Sequence, residues 1–441
     1  MNAHPYLIRL GEADLVGRTG RVTKILPTFL EADGPSLPLG GLCQVETLAS
    51  AVGGPAAMLA EVVGIRADAV VLAPLQDEAS TFFGAEVRAC GAAATAPVGD
   101  GFLGRAVDAL GRPIDGGPPV AGTRAASLAA RPVGPLERTT SRRVLETGVR
   151  AIDALLTLGE GQRIGLFAAS GVGKTSLITQ LAQQIDADVC ILCLVGERGR
   201  EVEALWGAGL APDARARSVL VAATADQSAA MRVRACSYSL ALAEAWRDQG
   251  QRVLLLLDSV TRLAMALREV GLAAGEPPTV RAYTPSVFAA IPRLVERCGA
   301  LKSGGAITAI MTVLSETDDI DDPVSEMMKS LLDGHILLSR GLAEQGHFPA
   351  IDAPRSISRL ARGVADAGLR DLAGRAIALL STYDGARTLI ESGVYTAGAD
   401  PRIDEAIARR PALMAFLQQN SGERCSLAQT GRRLAEALGA A

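Results

Sequence analysis

The chain has 441 residues, too many for one ordinary domain, so two or three are expected. Hydrophobic residues make up 49% of it and aromatics only 3%, so large cores must be built from Ala, Val, Leu and Ile. A net charge of -4 carries no nucleic-acid footprint. No apolar run reaches the ~18 residues a membrane helix needs, and there is no signal peptide, so the chain is expected to stay in the cytosol.

Residues 1–15 form a short leader with little pattern. Tyr6, Leu7, Ile8 and Leu10 suit an amphipathic turn or two, or a loosely ordered terminus. Residues 16–93 change to short apolar runs broken by Gly and Pro, among them AMLAEVVGI and DAVVLAPL. These predict the strands of a small β-barrel or sandwich, an assembly domain without catalytic residues. The core domain is placed at 94–362 and opens on a turn-rich crossing that includes DALGRPIDGGPP.

Within it, GQRIGLFAASGVGKTSLITQ predicts a strand over 164–167, a loop over 169–173 and a helix from Thr175. That order makes a phosphate-binding loop, formed by Ala169, Ser170, Gly171, Val172, Gly173, Lys174, Thr175 and Ser176. Gly171 and Gly173 let the backbone wrap round phosphate oxygens, and the helix start directs N–H groups at them. Lys174 is assigned to the β- and γ-phosphates of ATP, and Thr175 to Mg²⁺. Ala168 stands where the G-x-x-x-x-G-K-[ST] pattern has its first glycine.

Further strands are predicted at 189–195, 219–222, 253–257 and 306–314, alternating with helical patterns, which implies a parallel α/β sheet. Cys190 and Cys193 form a C-x-x-C, but inside the apolar run VCILCLV they are assigned to core packing. His4, His335 and His347 are too dispersed for a metal site. Residues 363–441 turn wholly helical and are expected to form a separate small domain.

Five acidic and basic positions downstream of the loop are candidates for the chemistry. Asp258 closes VLLLLD, where an acid holds the Mg²⁺ shell. Glu197, in VGERGREV, stands where a carboxylate polarises the water attacking a γ-phosphate. Arg198 and Arg262 are candidates for phosphate charge; solvated loop charges are the competing reading. Arg359, in SISR, is either an arginine finger lent to a neighbouring subunit or a surface ion-pair residue.

Together, ETGVRAID, LFAASGVGKTSL, VGERGREV, LLLLDSVTRLA, YTPSVFAAIPRLVERCG, LLDGHILLSR and HFPAIDAPRSISRL resemble the catalytic subunits of rotary ATPases. The resemblance is closer to the type III protein-export ATPases, through PSVFAAIPRLVERCG and DGHILLSRGLAEQGHFPAID. It implies a P-loop RecA-like core between an N-terminal barrel and a C-terminal helical domain. It implies a homo-hexamer round a central stalk protein, with ATP and Mg²⁺ at each subunit boundary. Carried over, Glu197 activates water, Phe348 stacks on adenine and Arg359 is the finger. It further implies a dimeric regulator, an export gate, chaperone–cargo complexes and peripheral association with the inner membrane. The short leader departs from the region the family uses for the regulator.

The expected activity is ATP hydrolysis driving flagellar protein export. An injectisome ATPase shares the same site chemistry, as does a rotary ATP synthase subunit. A termination-factor-like motor on nucleic acid requires an aromatic, basic barrel, and Tyr6, Phe29, Phe82 and Phe83 make no such cluster.

Overall fold

The structure, a computed structural model, describes residues 17–48, 57–75, 80–91, 94–129, 133–140, 143–315 and 322–439. The leader expected at residues 1–15 lies outside them. The chain separates into two compact units. The first holds the amino-terminal barrel with Asp226–Val233 and Met265–Val287; the second holds Ala96–Ala225, Arg234–Ala264 and the chain from Phe288 onward.

In the first unit, β1 (Thr19–Ile25), β2 (Leu30–Ala32), β3 (Leu42–Glu46), β4 (Ala57–Ile65), β5 (Val70–Pro74) and β6 (Glu86–Gly91) close into a barrel. Its order is β1-β2-β5-β4-β3-β6 and every pairing is antiparallel. Alternation along β4 sends Met58, Ala60 and Val62 inward, where they meet Val22, Val45, Leu72 and Val87. Closure leaves no strand edge to aggregate. Phe29 is buried and Phe82 packs on the barrel core, so neither offers a stacking platform.

The second unit is built on a twisted sheet. Eight of its ten strands form the main path: β7 (Ala106–Val107), β8 (Arg163–Ala168), β9 (Val189–Val195), β10 (Ser218–Ala223), β11 (Arg252–Asp258), β12 (Ala306–Leu314), β13 (Gly334–Leu337) and β14 (Ile357–Ser358); off it, Gly299–Leu301 pairs antiparallel with β12 and with Arg138–Thr139. The eight run β14-β13-β8-β12-β11-β9-β10-β7, all parallel except the β13–β14 pair. The expected strands recur within a residue or so at each end. The two-residue β7 is an addition: it lies in the stretch expected to be an irregular crossing, yet it pairs with β10 at the sheet edge.

β9, β10 and β12 are buried along almost their whole length, which explains their unbroken apolar runs. Cys190 and Cys193 are buried in β9; among the seven cysteines only Cys90 is exposed. Burial pushes the Cys43 and Cys298 thiols up to about 12 and that of Cys190 to about 11.

The helices that matter below are α1 (Arg150–Leu155), α2 (Lys174–Gln184) and α3 (Val260–Ala274). The carboxyl-terminal region is helical, with α4 (Ala367–Glu391), α5 (Pro401–Leu417) and α6 (Leu427–Ala437). Asp366, Asp400 and Ser426 cap their amino ends with side-chain hydrogen bonds. Leu379, Leu413, Phe416 and Leu434 from these helices join one core with Ile164, Leu181 and Leu192. Among the described residues no helix is long and apolar enough to cross a membrane.

Candidate active site

In a parallel sheet all strands deliver their carboxyl ends to one edge, about 4.8 Å apart. At that edge β8 runs into the loop 169–173, β11 ends in Asp258, and β9 is followed by Glu197. Strand order puts β12 between β8 and β11, and β9 beyond β11. Lys174, at the start of α2, reaches both acids from the loop.

Gly171 and Gly173 adopt φ of 81° and 89°, the left-handed region that favours glycine. No side chain caps the start of α2 at Gly173. Its first N–H groups are therefore directed out of the loop without a side-chain acceptor, the arrangement that binds anions. Val172 is buried and anchors the loop, while Ser170, Thr175 and Ser176 are exposed. Ala168 is buried at the strand end and the loop still forms the turn expected of it.

Lys174 Nζ donates to Asp258 Oδ1 at 2.5 Å and to Glu197 Oε1 at 3.4 Å. Thr312 Oγ1 on β12 donates to Asp258 Oδ1 at 2.7 Å. On α3, Arg262 Nε lies 3.3 Å from Glu197 Oε1 and Nη2 donates to Oε2 at 3.4 Å, while Nη1 donates to the Gly196 carbonyl. Glu197 is 5% exposed and Asp258 4%. Burial first, then the Asp258 charge, raises the Glu197 carboxyl above its ordinary value, against the pull of Lys174 and Arg262. A buried carboxylate held ready to take up a proton suits a group that handles water.

Of the remaining predicted positions, Phe348 joins the loop, while Arg198 and Arg359 stand apart from the cluster. Arg198 is exposed and faces Glu201 at 3.7 Å instead of the cluster. The Phe348 ring lies against the loop, 3.3 Å from where a Cβ on Gly173 would stand. Arg359 follows β14 and its N–H donates to the Asp333 carbonyl. Because Gly334 pairs with Ser358 and His335 with Gly165, Arg359 sits at the amino end of β8. Six residues of strand, about 20 Å, separate it from the loop of its own protomer. A cavity of about 550 Å³ runs from Thr175 and Ser176 along α2 to Arg200, Ser421 and Gly422.

Residues 148–358 match the model of the ATP synthase alpha/beta family, nucleotide-binding domain. Residues 365–436 match that of the T3SS EscN ATPase C-terminal domain. The flagellum-specific ATP synthase of Bacillus subtilis is 44% identical over 410 residues, 93% of each chain. The assembled ATPase EscN of the enteropathogenic E. coli type III secretion system superposes with a TM-score of 0.88 at 40% identity, covering 95% of this chain and 100% of that one. EscN in complex with its central stalk EscO gives 0.85 at 39% identity, again over 95% and 100%. The chain belongs to the flagellar and type III secretion ATPases.

Sequence reasoning had not singled out two residues of this ATPase. Thr312 is a hydroxyl inside the apolar run AITAIMTVL, and that interruption was the available signal. Arg150, the one cation of the fully buried helix α1, was the other.

Proposed function

We propose that this ATPase hydrolyses Mg²⁺-bound ATP in a homo-hexameric ring and thereby drives protein export through a flagellar type III apparatus. The observation that carries it is the buried meeting of Lys174, Glu197, Asp258 and Arg262 beside a glycine loop. Backbone N–H groups of 169–176 and Lys174 take the phosphates; Glu197 orients and deprotonates water; Arg262, with Arg198 after a side-chain swing, offsets phosphate charge. Phe348, at the loop, takes the adenine. Arg359, too far from its own loop, serves the site of the neighbouring protomer.

Hard oxygen donors suit Mg²⁺, and Asp258 with the Thr175 hydroxyl supplies them. Among the described residues no cluster of three or more His, Cys, Asp or Glu side chains stands ready for a metal. An ion held chiefly by substrate phosphates and water requires none. Held there, it would supply positive charge against the substrate phosphates.

The proposed division is 16–93 for assembly, 94–362 for ATP turnover and 363–441 for work on cargo. A central stalk is supported by the likeness to EscN bound to its stalk EscO. A dimeric regulator, an export gate and chaperone–cargo complexes complete the partners, at the cytoplasmic face of the inner membrane. The match to EscN over its whole length keeps the injectisome as the second reading.

The test is twofold. Purified protein should release phosphate from ATP only with Mg²⁺ and without stimulation by RNA. Deleting the gene should stop secretion of flagellar rod and hook proteins; loss of needle and translocon secretion instead would establish the second reading. RNA-stimulated turnover, or purification with a membrane rotor, would overturn both.

A further inference from the structure

Helix α1 is buried at all six positions, Arg150 among them. Its guanidinium is used up on a single turn from the carboxyl-terminal region. Nε donates to the Phe416 carbonyl at 2.8 Å, Nη2 to the Gln418 carbonyl and Nη1 to Glu423. The Arg150 backbone N–H donates to Gln419 Oε1 at 2.8 Å, and Gln419 Nε2 returns to the Gly148 carbonyl at 2.8 Å. The guanidinium also lies 6.0 Å from the centre of the Phe416 ring. The base of this grip is stiff, because the Asp153 carboxylate accepts from Thr147 N, Thr147 Oγ1 and Gly148 N within 2.9 Å.

The turn that Arg150 holds touches both sides of the nucleotide site. Gln419 N donates to the Phe348 carbonyl at 2.9 Å, and Gln418 Nε2 to the Gly346 carbonyl at 3.2 Å. On the other side, Gln184 of α2 donates through Nε2 to the carbonyls of Ser421 at 3.3 Å and Glu423 at 3.0 Å. Ser421 and Gly422 then line the cavity that begins at Thr175 and Ser176.

We infer that Arg150 is a positioning residue for nucleotide binding: by pinning the 416–423 turn between the Phe348 segment and α2, it fixes one wall of the pocket for the nucleoside part of ATP. The inference rests on the nucleotide-site reading above. A planar fork presents separate donors in fixed directions to two carbonyls and a carboxylate, whereas a lysine would have to meet all three from one compact ammonium. Arg150 reaches no phosphate, so its loss should act on the nucleoside and spare the chemistry.

The experiment compares ATP, GTP and magnesium tripolyphosphate on the full-length protein. Arg150→Lys should raise the KM for ATP about 10-fold with kcat within about 2-fold, the pattern of lost ground-state binding. Inhibition by magnesium tripolyphosphate, which has no nucleoside, should be unchanged, and preference for ATP over GTP should shrink. Glu423→Gln, a milder change on a half-buried partner, should show the same split at about 3-fold and decides the matter if Arg150→Lys fails to fold by circular dichroism. An unchanged KM for ATP in the folded variants overturns the inference, and so does a parallel loss of ATP and tripolyphosphate affinity. Failure of the underlying site reads differently: wild-type hydrolysis would then not depend on Lys174.

Discussion

Lys174→Ala tests both the chemistry and the electrostatics of the site. In the structure the ammonium stands 2.5 Å from Asp258 and 3.4 Å from Glu197, with both acids almost wholly buried. At an effective dielectric of about 20, these pairs are worth about 7 and about 5 kcal/mol of gross attraction. Desolvation of the three groups offsets most of that, and removing one partner of a buried pair costs about 3–5 kcal/mol net. Glu197 supplies a pH signature. Its carboxyl is already raised, and loss of Lys174 removes a charge that lowers it. A raised carboxyl contributes stability below its unfolded value and loses it as pH rises through the folded value. The deficit of Lys174→Ala should therefore be larger at pH 8 than at pH 5 in urea unfolding. Hydrolysis should fall at least about 100-fold, the loss seen when a preorganised charge donor is removed. Turnover within tenfold of wild type, or a deficit equal at both pH values, would refute the reasoning.

Glu197→Gln should bind ATP with near-normal affinity yet scarcely hydrolyse it; loss of binding in equilibrium titration would reassign the residue. In the wild type, the acid limb of the kcat/KM profile should lie above the ordinary range of a glutamate, because burial and Asp258 raise this carboxyl in the free enzyme and the base must be ionised. Arg359→Ala mixed with Glu197→Gln should recover activity, since each completes a different subunit boundary; no recovery in confirmed mixed rings would count against a finger lent in trans. Burial lifts Asp153 to about 7, so unfolding free energy should fall between pH 5 and 7 by up to about 1.4 kcal/mol per unit. Asp153→Asn should flatten that slope, measured by urea titration across the range; an unchanged slope would place the ionisation elsewhere.

What the sequence disclosed follows from how each element is stabilised. β9 and β11 are buried on both faces, so their apolar runs have sharp ends and their bounds could be read directly. The glycine loop was legible because the chemistry dictates adjacent residues. β7 has two residues and no period to detect; its strand character comes from pairing with Leu220 and Val221 more than a hundred positions away. Arg150 is legible in the sequence only as one residue of ETGVRAID, since its partners lie 266 to 273 positions downstream. Arg198 was expected among the phosphate-handling groups, and its pairing with Glu201 is a local helix contact that the motif does not encode.

The cysteines offer an experimental handle. Six of the seven thiols are shut inside the protein, and only Cys90, on the barrel, meets solvent. A thiol needs access and ionisation to react, and the buried set lacks the first. One equivalent of maleimide should thus attach a fluorophore at a single address without engineering, leaving Lys174 and its partners untouched. Uptake of one label per native chain, rising to seven in denaturant, is the count that this arrangement demands.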